Sequence, residues 1–275
     1  MKKLFYTLLF ITAAVCVIIN LAANRLIFQP RADYQERLLS DAQEVVFPTA
    51  GGIAELHGLY VPPKEYMDTI LFFHGNAGNV TYFEDFAAIY AKRGYGVLIF
   101  DYRGFGRSIG NITQANVYED GLAAADYLIK QKKTAPNNII LWGYSFGGAP
   151  AINTAVVLNH LPFKALILQS VFTNTPQLAA AIAADGYEPG ATLQKFIIGT
   201  LHIALFNKTY DNLAKINKVK TPVLIGVSRH DMLIPWQMGQ ALVAAAPEGA
   251  KVFVSPRGRH ASFEWFEKEA LAFLQ

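Results

Sequence analysis

The chain has 275 residues, 52% hydrophobic and 16% charged, a balance that supplies a sizeable core and excludes an intrinsically disordered protein. Its formal net charge is +3, but the 24 lysines and arginines form no run of five or six, which argues against a nucleic-acid-binding face. The single cysteine, Cys16, excludes an internal disulfide and a cysteine-built zinc site.

In chain order, the first feature is an uncharged run of 20 residues from Leu4 to Ala23, preceded by Lys2 and Lys3. At 1.5 Å per residue this matches a hydrocarbon core of about 30 Å, so residues 1–30 read as a signal anchor and its flank. A cleaved signal peptide is the rival reading, although the run exceeds the usual hydrophobic region of about 7–15 residues. The small excess of positive charge ahead of the run places the remainder of the chain on the non-cytoplasmic side, periplasmic or extracellular, of a single-pass membrane protein.

Residues 31–275 read as one domain, opening with a polar bridge from Pro30 to about Gln43. "EVVFPT" and "AELHGLYVP" come next as antiparallel lead-in strands around the Gly51-Gly52 turn. The runs "TILFFHG", "GVLIFDY", "NIILWGY", "KALILQS", "PVLIGVS" and "KVFVSP" are short, rich in β-branched or aromatic residues and lack alternation, as expected of strands covered on both faces. Helical spacing separates them: Phe83, Phe86, Ala87 and Tyr90 before Gly94; then Val117, Gly121, Ala124, Ala125 and Leu128; and at the end Phe263, Phe266, Ala270 and Phe273. This alternation predicts an α/β fold with a mostly parallel central sheet and helices on both faces. The stretch from about 174 to 217 interrupts it and reads as a small helical cap insertion.

Ligands in such sheets bind beyond the carboxyl ends of the strands. There, after "NIILWG", Gly143-Tyr144-Ser145-Phe146-Gly147 fits a sharp strand-to-helix turn that lifts Ser145 as a nucleophile. A serine hydroxyl needs a base in contact and a third group to fix that base's tautomer. Of six histidines, His260 lies in the loop between the last strand and the last helix, on the same rim as Ser145. Asp231 comes after "PVLIGVS", giving the order Ser, Asp, His expected of this kind of turn. Asp101 also reaches the rim but precedes the serine, and reads as an organiser of the "YRGFGRS" turn. Two backbone donors are needed for a tetrahedral oxyanion. Phe146 N–H is one; the other comes from the small-residue loop "HGNAGN", assigned to Asn76 with Ala77 as fallback.

The motifs "HGNAGN", "DYRGFGRSIG", "GYSFGG" and "RHDMLIP", in this order, make residues 43–275 resemble the α/β-hydrolase fold serine hydrolases. More narrowly, the chain looks like the membrane-anchored branch that includes eukaryotic depalmitoylases and lysophospholipid lipases. The resemblance implies Ser145 as nucleophile, Asp231 as acid, His260 as base and the Asn76 and Phe146 amides as oxyanion hole. It also implies ester or thioester hydrolysis through an acyl-enzyme, with neither metal nor organic cofactor. Two features depart from the branch: "RHASF" continues past His260 where many members carry a polar pair, and the cap matches none of its patterns. The expected partners are a small acyl ester or thioester and, through the N-terminal helix, a membrane. Phe196, Ile197, Ile198, Leu201, Leu205 and Phe206 in the cap offer shelter to an acyl chain or form the cap's own core. A serine peptidase on the same fold and a catalytically silent binding protein are the alternatives.

Overall fold

The computed structural model describes residues 27–35, 39, 41–65, 67–184 and 209–275. In chain order the strands and helices are β1 (Gln29–Pro30), β2 (Gln43–Pro48), β3 (Glu55–Val61), β4 (Thr69–Phe73), β5 (Ala77–Gly78), α1 (Glu84–Ala91), β6 (Gly96–Phe100), α2 (Gln114–Asp126), β7 (Ile139–Tyr144), α3 (Gly148–Val157), β8 (Ala165–Gln169), α4 (Thr175–Ala184), α5 (Leu213–Ile216), β9 (Val223–Ser228), α6 (Trp236–Ala245), β10 (Lys251–Ser255) and α7 (Glu264–Leu274). Eight strands form one sheet in the order β10-β9-β8-β7-β4-β6-β3-β2. All neighbours from β10 to β6 run parallel, whereas β3 is antiparallel to both β6 and β2.

The lack of alternation in the strands reflects two apolar layers. Leu71 and Phe73 face one core with Leu98, Phe100, Leu141, Ile152 and Leu242; Ile70 and Phe72 face the other with Ile99, Trp142, Phe86, Tyr90 and Phe266. Helices α2, α3 and α6 cover the first face, and α1 and α7 the second. The buried stripe of α7 is Phe266, Ala270 and Leu274, with the expected Phe263 and Phe273 half-buried against the same core.

The end of the N-terminal flank and the start of the polar bridge pack onto the domain. Phe28 is buried, β1 pairs parallel with β5, and Tyr34 donates to Asp101 Oδ2 at 2.6 Å. This segment is therefore tied to the domain. The apolar run 4–23 and cap residues 185–208 lie outside the described residues; among those described, no helix is long and apolar enough to cross a membrane.

Candidate active site

β7 delivers Ser145 directly into a short 3-10 turn, Ser145–Gly147, that continues as α3. Ser145 takes φ +52°, a left-handed conformation that L-residues rarely adopt. The flanking glycines make the turn possible by close approach. A Cβ on Gly147 would fall 1.9 Å from the Phe73 carbonyl oxygen, and one on Gly143 would fall 2.6 Å from Gly148 Cα. Larger residues at either position would force the start of α3 away from the ends of β4 and β7.

Two loops at the carboxyl edge, after β9 and after β10, bring the other side chains to the serine. His260 Nε2 lies 3.0 Å from Ser145 Oγ, and His260 Nδ1 lies 2.8 Å from Asp231 Oδ2. A carboxylate only accepts, so Nδ1 carries the proton and Nε2 offers its lone pair to the serine hydroxyl. Asp231 Oδ1 accepts the Leu233 and Ile234 amides, each at 2.9 Å. Burial pushes the Asp231 carboxyl up, but the hydrogen bond and charge of His260, with those two amides, outweigh it and hold the group below the usual carboxylate range. The histidine loop is pinned in turn: Tyr144 OH donates to the His260 carbonyl at 2.9 Å, Ser228 Oγ to Gly258 O, and Gln169 Nε2 to Ser262 O. None of these three contacts was evident in the sequence, where Tyr144 is only the variable residue before the serine.

The loop after β4 passes beside the serine. A Cβ on Gly75 would fall 3.2 Å from Tyr144 Cε1 and 3.8 Å from Ser145 Cβ, so the loop backbone runs close against the nucleophile turn. His74 is fully buried and its Nδ1 lies 2.7 Å from Gly75 O. A carbonyl accepts only, so Nδ1–H donates; this fixes the peptide plane that carries the Asn76 N–H on its opposite edge. Burial lowers the His74 pKa to about 4, against the Gly75 hydrogen bond that raises it. The ring is therefore neutral, and its Nε2, which has no hydrogen-bond partner, faces Asp101 Oδ1 at 3.9 Å. Phe146 follows Ser145 in the 3-10 turn, and Asn76 follows Gly75 in the loop that passes beside the serine.

Asp101 sits at the end of β6, where its carboxylate accepts the Val80 amide at 2.9 Å as well as Tyr34 OH. Burial raises its pKa to about 6, opposed by the hydrogen bonds from Tyr34 and the amides of Val80 and Arg107. Ser108 Oγ donates to its carbonyl, which ties it to the "YRGFGRS" turn. Beside His260 is an open depression of about 680 Å³ lined by His230, Met232, Pro256, Arg257 and Arg259. Among the described residues, no group of three or more His, Cys, Asp or Glu is placed to hold a metal ion.

The family described as "Serine aminopeptidase, S33" matches residues 64–202. The chain is 28% identical over 226 residues to the protein YfhR of Escherichia coli (strain K12), covering 80% of this chain and 73% of YfhR. Its fold is similar to that of the esterase Pf2001 of Pyrococcus furiosus, with TM-score 0.73 and 18% identity over 90% of this chain and 97% of the esterase. It is also similar to an acetyl xylan esterase from Paenibacillus sp. R4, with TM-score 0.64 and 20% identity over 95% and 92% of the two chains.

Proposed function

The chain belongs to the serine aminopeptidase family matched above and has the α/β-hydrolase fold, and from that premise we propose that it is a serine hydrolase of carboxylic esters or thioesters. The observation that carries this reading is the unbroken line of hydrogen bonds from Ser145 through His260 to Asp231. In the proposed cycle Ser145 Oγ attacks the acyl carbonyl carbon while its proton passes to His260 Nε2. Asp231 stabilises the imidazolium, and the amides of Asn76 and Phe146 receive the oxyanion. His260 returns the proton to the leaving alcohol or thiol as the tetrahedral intermediate collapses to an acyl-enzyme. Water, deprotonated by the same nitrogen, then releases the acid.

The family's description raises peptide cleavage as a second reading. An aminopeptidase must hold a substrate ammonium, which calls for carboxylates beside the nucleophile. Among the described residues, the depression next to His260 is lined instead by Arg257, Arg259 and His230 with Met232. That lining favours a neutral or anionic, partly apolar acyl substrate. The esterase neighbours agree with this choice. Residues 1–30 belong to the proposal as a membrane anchor, with the hydrolase domain on the non-cytoplasmic side and 174–217 as its cap; the 20-residue apolar run supports the anchor.

The test is a fluorophosphonate probe applied to the wild type and Ser145→Ala, with p-nitrophenyl esters of two to sixteen carbons as substrates. We expect labelling and turnover in the wild type, and loss of both in the variant. A folded wild type that neither labels nor turns over any ester would leave the silent binding protein as the better reading. Turnover of aminoacyl amides in preference to esters would favour the peptidase.

A further inference from the structure

We propose that residues 27–35, the segment leading out of the apolar N-terminal run, form a strap that positions both candidate oxyanion donors beside Ser145. This rests on the acyl-transfer reading above. On the Asn76 loop, Gln29 N–H donates to Asn76 O at 2.9 Å, Arg31 N–H donates to Gly78 O at 3.0 Å, and Asn76 Nδ2 donates back to Ile27 O. Asn79 Nδ2 closes the clasp on Arg31 O at 3.0 Å and Asp33 O at 2.9 Å. On the nucleophile turn, the ring of Phe28, 2% exposed, meets the ring of Phe146 edge-on with centroids 4.9 Å apart.

The loop that receives the strap is held at its ends by His74, through Gly75 O, and by Asn79, whose Oδ1 accepts from Thr81, while the stretch between them carries small residues. Gly75, Ala77 and Gly78 bring no side chain beyond a methyl, Gly78 sits at φ +82°, and β5 pairs with β1 in a separate two-stranded sheet. An amide hydrogen can rotate only with its peptide plane. His74 holds the plane between Gly75 and Asn76, and the strap holds the next one through Asn76 O. With both planes fixed, the Asn76 N–H is set before substrate arrives. Such preorganisation acts on the charge that develops in the transition state, so its loss lowers kcat while leaving KM nearly unchanged.

The experiment uses the full-length chain in detergent. Gln29→Pro deletes the N–H donor, whereas Gln29→Ala keeps it and changes only an exposed side chain. Phe28→Leu loosens the contact on Phe146 and provides the same reading should Gln29→Pro fail to fold. Each is assayed with p-nitrophenyl butyrate and with a trifluoromethyl ketone, whose adduct on the serine carries the oxyanion. We expect Gln29→Pro to lower kcat and ketone affinity in parallel, each about tenfold, with KM within about twofold of wild type. Phe28→Leu should move the same way by less, and Gln29→Ala should behave as wild type. Variants that melt at lower temperature yet keep wild-type kcat and ketone affinity would reduce the strap to a structural brace and overturn the proposal. In that event Ser145→Ala is still inactive, whereas retained turnover in Ser145→Ala brings down the acyl-transfer reading itself.

Discussion

Ser145 illustrates how a residue's chemistry depends on space left by its neighbours. Its left-handed backbone would be costly in isolation, and the absence of side chains at Gly143 and Gly147 lets β4 and β7 close around it. The order of Ser145, Asp231 and His260 was readable because each comes after an apolar run that ends at the same rim. The residues that hold them were not: Tyr144 and His74 act through a main-chain carbonyl, and a backbone acceptor leaves no signature in side-chain type. The sequence placed Asp101 in the "YRGFGRS" turn, but its bonds to Tyr34 and Val80 join it to two other segments as well. For Asp231 the consequence is specific. Asp231→Asn replaces an acceptor by an amide that can donate to Nδ1, which drives the ring proton to Nε2 and removes the base from Ser145. We expect kcat for p-nitrophenyl acetate to fall about 10³- to 10⁴-fold. A loss below tenfold would show that His260 does not depend on Asp231 for its tautomer.

Between elements, Asp101 is the point where β6, the N-terminal segment and the turn before α1 meet. Its folded pKa of about 6 lies above the ordinary carboxyl value of 3.8. The folded state therefore holds this proton more tightly than the unfolded chain does. Stability from this group is greatest below about pH 4 and is lost as pH rises through 6, by on the order of 3 kcal/mol. Asp101→Asn removes that titration, so the decline in unfolding free energy between pH 4.5 and 7.5, measured by urea denaturation, should be smaller than in wild type. Equal declines would mean that Asp101 contributes no such linkage. The strands of the main sheet were legible because each is a local apolar run long enough to show a pattern. β1 was not, since a two-residue strand has no period and its partner lies 48 positions away. The share of Leu274 in the core beside Phe273 was equally hidden, because helical spacing from Ala270 reaches both.

For the molecule as a whole, the anchor proposal predicts that the full-length chain stays with the membrane fraction after an alkaline carbonate wash, while Ser145→Ala does the same without activity. Release into the supernatant would remove the anchor. Its presence would set a leash on the enzyme. Only residues 24–27 separate the apolar run from Phe28, whose ring is buried against Phe146. Five steps of fully extended chain span at most roughly 18 Å. The reacting serine would then work within a few headgroup layers' depth of the bilayer, unable to rise far into bulk water. Its turnover would track the surface mole fraction of an acyl substrate and fall when inert lipid dilutes that surface, even with the substrate's total concentration held constant.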